Sequence, residues 1–136
     1  MQTTMSTELY WLVMTTAMTA MMWVPYIVNR MAELGVLEAL WDPFGHTEAR
    51  AAWANRMMQA HLNAVENLII FAPLVIVVHL LGLGNELTAK TCLIYFTARL
   101  VHYVAFTLAV PLLRVLSFLA GFYAQAVLAL TVLQVI

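Results

Sequence analysis

Charge is what this sequence has least of. Asp, Glu, Lys and Arg make up 10% of its 136 residues, where an ordinary soluble domain carries about 25%. That shortage excludes intrinsic disorder, which needs a polar, highly charged chain. It would also leave a water-soluble fold of this size with broad apolar patches in water. No basic field is present: six Lys and Arg stand against seven Asp and Glu, a formal net charge of −1, so nucleic acid is not an expected partner. The lone cysteine, Cys92, excludes an intrachain disulfide and fits no metal-ligand pattern. Haem ligation needs two histidines facing each other at one depth, and His61, His79 and His102 give no such pair; no metal site is expected. What remains is apolar side chain, 64% of the total at a mean hydropathy of +0.89, and this points to an integral membrane protein.

Residues 9–28 and 115–136 carry no Asp, Glu, Lys or Arg, and neither do residues 67–85. About 20 apolar residues rising 1.5 Å each cross roughly 30 Å of hydrocarbon, so each run predicts a span. A fourth, at residues 88–109, has Arg99 near its middle. The predicted fold is all-α, an integral membrane four-helix bundle in one domain (residues 1–136), with spans at 9–31, 53–82, 88–109 and 113–135. The first run reads as a span and not as a signal peptide, because Met1–Ser6 has no positive charge. Pro25 and Pro73 fall inside spans, which membrane bundles accommodate.

Arg30, Arg50 and Arg56 flank the first connection and Arg114 the third, while the opposite side has only Lys90. The positive-inside bias puts the first and third connections in the cytoplasm. Trp41-Asp42-Pro43-Phe44-Gly45-His46 reads as a turn, with His46 solvated. Thr47 follows as a candidate helix cap. A helix running from there through Leu81 would measure about 52 Å and project beyond the bilayer.

Polar residues at membrane depth are expensive and carry either pairing or function. On the second helix Arg56, Gln59, Asn63 and Glu66 share one face within about 80° at 100° per residue, with Asn67 at its edge. The third carries Tyr95, Arg99, His102, Tyr103 and Phe106, and the fourth Arg114, Ser117, Gly121 and Gln125. Tyr26, Asn29, Arg30 and Glu33 close the first. The plainest account pairs Glu66 with Arg99 between helices and lets Asn63 and His102 complete the hydrogen bonds. A structural pair needs two residues, however, and this constellation has many more. It suits a polar, anionic ligand gripped between helices.

The run Arg56-Met-Met-Gln59-Ala-His61-Leu-Asn63-Ala-Val-Glu66-Asn67 resembles the second-helix signature of the MAPEG superfamily, the membrane-associated proteins in eicosanoid and glutathione metabolism. Arg99-Leu-Val-His102-Tyr103-Val-Ala-Phe106 is similar to the R-x-x-H-T-V-A-Y stretch of its prostaglandin E synthase branch. The resemblance covers essentially the whole chain and extends to bacterial-type members and the microsomal glutathione transferases. It implies a homotrimer with glutathione bound between neighbouring subunits, and a lipophilic small molecule as second substrate. Position by position it gives Arg30, Asn63, Glu66, Arg99 and His102 to glutathione, and Arg56 and Gln59 to bracing the site.

Glutathione has two carboxylates and an ammonium, so guanidinium forks and a carboxylate are the matching groups. Its thiol needs a nearby cation or donor to become a thiolate. Here the chain departs from the family. Gln59 and Leu62 stand where arginines are common, Phe106 replaces a tyrosine, and Ala109-Val110 precede Pro111 without an arginine. Arg114 is the nearest substitute as thiolate-stabilising cation, and Tyr103 as hydroxyl donor. The ligand-holding half of the pattern is thus better kept than the activating half. The expected function is glutathione binding, with transfer to lipophilic electrophiles or peroxide reduction as the associated chemistry. Two alternatives remain open from residues alone: a small proton-coupled multidrug exporter titrating Glu66, and a non-catalytic membrane trimer.

Overall fold

The structure is a computed structural model that describes residues 4–42 and 48–136. Among these residues six helices follow one another: α1 (Thr7–Met21), α2 (Val24–Leu34), α3 (Val36–Trp41), α4 (Ala52–Leu80), α5 (Glu86–Thr107) and α6 (Pro111–Val132). Of the turn expected at residues 41–46, Pro43 onward lies outside the described residues, as do His46 and Thr47.

Among the described residues three helical stretches are long and apolar enough to cross a membrane: Thr7–Leu34, Ala52–Leu80 and Pro111–Val132. Four were expected. The remaining one, α5, has 22 residues and so about 33 Å of length. Glu86, Lys90 and Arg99, with its other polar side chains, dilute its apolarity. Hydroxyls inside the helices are satisfied locally, as a hydrocarbon setting requires: Thr15, Thr16 and Thr19 each donate to the carbonyl four residues back, at 2.7, 2.8 and 2.8 Å.

The first span is not continuous. Helix α1 starts on Ser6, whose hydroxyl accepts from Leu9 N, and stops at Met21; a turn at Met22–Trp23 precedes α2. Pro25 sits in the first turn of α2 and has no N–H to give the carbonyl of the preceding turn. The loose end is taken from outside, since the Tyr103 hydroxyl donates to the Met22 carbonyl at 2.8 Å.

Helix α4 begins at Ala52, later than the cap expected at Thr47, and its N-cap Ala51 has no side chain able to serve. Glu33 of α2 supplies that function from a distance. Its carboxylate accepts from Arg50 N (2.9 Å) and Ala51 N (3.0 Å), and from the Asn29 amide (2.9 Å). Negative charge at a helix N-terminus is favoured by the dipole and by its unpaired N–H groups.

A capping box starts α5: Asn85 Oδ1 accepts from Thr88 N, and Thr88 Oγ1 accepts from Asn85 N. The Thr88 hydroxyl in turn donates to the buried Glu8 carboxylate at 2.6 Å, which ties α5 to α1. Helix α6 follows a tight turn through Ala109, whose φ is 57°, and opens on Pro111.

Helices α5 and α6 pack most extensively on each other, and α4 touches α1, α5 and α6. The apolar core joins Leu12, Phe71, Val75, Val78, Cys92, Tyr95, Ala124 and Leu128, with the Phe71 and Tyr95 rings stacked at 3.7 Å. Elsewhere the helices meet on small side chains, Ala60, Ala64, Ala98 and Ala105 among them, as membrane bundles do. This close approach of α4, α5 and α6 sets the stage for the polar residues between them.

Candidate functional site

Arg99 is at the centre. It is 1% exposed, held between α4 and α6, and its Nη2 donates to Asn63 Oδ1 of α4 at 2.6 Å. Helix α6 makes room with Gly121, where a Cβ would stand 3.5 Å from Arg99 Cδ and Nη1. The guanidinium carbon lies 5.9 Å from the centre of the Phe118 ring. Two of its nitrogens, Nε and Nη1, are buried without a hydrogen-bond partner among the described residues. Asn63 itself is fixed from both sides, because the Asn67 amide donates to its backbone carbonyl at 2.9 Å. Gln125 of α6 donates in turn to the Asn67 carbonyl at 3.1 Å.

One turn along α5, His102 is also buried. Its Nδ1 is 3.0 Å from the carbonyl oxygen of Arg114. A carbonyl only accepts, so that bond requires hydrogen on Nδ1, and the neutral ring then has its lone pair on Nε2. Nε2 is buried and has no partner among the described residues. The Ser117 hydroxyl donates to the Leu113 carbonyl (2.7 Å) and lies 3.5 Å from His102 Nδ1.

Asn63, His102 and Arg114 open together onto a cleft of about 250 Å³, walled by Phe106, Val115, Phe118 and Leu119. The Arg114 guanidinium sits 5.0 Å from the Phe106 ring centre, a cation over an aromatic face. The phenylalanine at 106 therefore supports the cation instead of offering a hydroxyl. A second, apolar groove of about 390 Å³ runs between α5 and α6 along Leu93, Ile94, Thr97, Ala98 and Leu116, and reaches Ser117.

Not every stripe residue gathers there. Glu66 and Gln59 are exposed on α4, and no ion pair joins Glu66 to Arg99. The salt bridges among the described residues are Arg30–Asp42 and Lys90–Glu86. The mutual neutralisation that the sequence suggested is thus absent, because a residue three positions from Asn63 is rotated about 60° away on the helix. Arg56 braces, as its Nε donates to the Thr107 carbonyl at 2.8 Å. Tyr103 spends its hydroxyl on the Met22 carbonyl and does not line the cleft with Arg114. Arg30 pairs with Asp42 and lines a different cleft, about 460 Å³, between α2, α3 and the start of α4.

Sequence reasoning missed three partners. Asp42, twelve residues from Arg30, has no helical spacing to announce it. Glu33 was read only as one of a stripe, and its capping role depends on two chain segments meeting. His61, off the α4 stripe, is 2.8 Å from the Tyr26 hydroxyl. A polar residue off the main face was the available signal for that contact.

The sequence profile of the MAPEG family matches residues 9–134. No curated protein and no solved structure matches the chain.

Proposed function

The chain belongs to the MAPEG family, and from that premise we propose that it is a membrane glutathione-binding protein whose site is the cleft lined by Asn63, His102 and Arg114, with the buried Arg99 hydrogen-bonded to its Asn63 wall. The observation that carries this reading is a fully buried guanidinium with two idle nitrogens and no carboxylate paired to it among the described residues. A buried cation without a counter-charge is costly, and an anionic ligand removes that cost. Members of the family generally bind glutathione, and one of its carboxylates matches the Arg99 guanidinium. Asn63 supports the same assignment. Its Oδ1 is occupied by Arg99, so its amide N–H groups are directed to an acceptor.

In this reading α5 is the fourth span of a single domain, and three copies assemble with the cleft at their contacts. The exposed Glu66 supports assembly. It lies one turn from Asn63, among the exposed Leu62, Val65, Ile69 and Ile70, and a bare carboxylate at membrane depth needs cover. A neighbouring copy covers it, and Glu66 then meets the ligand's ammonium.

Arg114, at the mouth of the cleft, stabilises the thiolate. Lone-pair-bearing Nε2 of His102 is the nearby proton acceptor. The groove that reaches Ser117 admits a lipophilic electrophile or peroxide from the bilayer. The test is turnover in proteoliposomes with glutathione and a lipophilic electrophile, following thiol loss. Arg114→Ala lowers kcat at least about tenfold, roughly 1.4 kcal/mol of transition-state stabilisation, with glutathione saturation little changed. Equal turnover by the two proteins overturns the assignment of Arg114.

A further inference from the structure

The short helix α3 carries apolar side chains in an unusual place. Leu37, Leu40 and Trp41 are 82%, 66% and 87% exposed, among the barest large apolar residues of the chain. Their spacing of i, i+3 and i+4 puts all three within about 100° of one helix face. Ala39, on the opposite side, is half-buried and lines the cleft toward α4, while Glu38 flanks the apolar face and is exposed.

The position of α3 follows from the span before it. Thr7–Leu34 has 28 residues, at most about 42 Å of helix given the turn at Met22–Trp23, against roughly 30 Å of hydrocarbon and 40–45 Å with both headgroup layers. Its end therefore reaches headgroup level. Gly35, at φ 84°, turns the chain there, a left-handed conformation that costs glycine little, and α3 begins at the next residue. The helix is also held in place: Arg30 of α2 pairs with Asp42 just beyond Trp41, and Glu33 binds the backbone at the start of α4.

We propose that α3 is an interfacial anchor, its Leu37–Leu40–Trp41 face embedded in the headgroup–acyl boundary of the same bilayer that the chain spans. The span before it also exposes large apolar residues, Trp23 and Val28 at 45% and 57%. Tryptophan and leucine together on one face are what an interface-parallel helix presents to the acyl boundary. A single helix of six residues falls far short of the roughly 800 Å² per partner that a stable protein contact buries. Lipid is the occupant that needs no such area.

The test uses nitroxide labels on Leu37→Cys, Glu38→Cys, Leu40→Cys and Trp41→Cys, each in a Cys92→Ala background and reconstituted into phospholipid vesicles. Collision with oxygen is compared with collision with a water-soluble nickel chelate. The anchor predicts oxygen-dominated collision at 37, 40 and 41 and nickel access at 38. Equal nickel access at all four positions overturns it, as does shielding from both reagents together with spin–spin broadening, which marks a second copy on this face. Trp41→Phe provides a check that keeps the native cysteine: it reduces the share of tryptophan fluorescence quenched by lipids brominated near the top of the acyl chain. An unchanged share counts against the anchor.

Discussion

Arg99 sets the terms at the scale of single residues. A guanidinium with two buried, unpartnered nitrogens weakens the fold that contains it, so a side chain of similar length without charge is tolerated. Arg99→Met is expected to leave the detergent Tm unchanged or raised while glutathione binding falls at least about tenfold, roughly 1.4 kcal/mol. A structural arginine would give the reverse. Tyr103 makes the complementary case. Its hydroxyl serves the Met22 carbonyl, so Tyr103→Phe costs about 1 kcal/mol of stability, read as a lower Tm. Glutathione affinity is expected to stay as it was, and a selective loss of affinity would return Tyr103 to the site. Much of this was legible in advance. The spacing on α5 gives Arg99 and His102 one face, and both are buried. The α4 stripe was legible only in part. A face about 80° wide can straddle the edge of a packed surface, and here Asn63 and Asn67 turn inward while Gln59 and Glu66 turn out.

At the scale of elements, the break in the first span and the capture of α4 by Glu33 are the features periodicity does not carry. Residues 9–28 are apolar on every side, so the pattern has no phase to lose at Met22–Trp23, and membrane helices tolerate proline. The start of α4 depends on Glu33, seventeen residues before Arg50, and local sequence signals do not reach that far. Glu33→Ala is expected to fray the first turn of α4. Hydrogen exchange should quicken at the amides of Arg50, Ala51 and their immediate successors, with the amides from Ala60 onward unaffected. Uniform acceleration along α4 would mean that Glu33 has no local capping role. Where spans were expected at 88–109 and 113–135, the helices run Glu86–Thr107 and Pro111–Val132, starting on a capping box and on Pro111.

At the scale of the whole molecule, the exposed face of α4 asks for a partner. Glu66 stands among exposed apolar residues on a helix long and apolar enough to span, and in lipid that carboxylate is paired or covered. Native mass measurement in mild detergent is expected to give three copies. Glu66→Gln should preserve that mass, because the amide still hydrogen-bonds, while losing the charge that meets the ligand's ammonium. A monomeric wild-type protein with full glutathione binding would refute the shared site.

The most direct measurement is a glutathione binding isotherm on the protein in lipid nanodiscs, with Arg99→Met alongside and the folded state of both checked by Tm. The account predicts saturable binding by the wild-type chain and at least about tenfold weaker binding by the equally stable variant. No saturable binding by the folded wild type, or the same isotherm from both proteins, would contradict it.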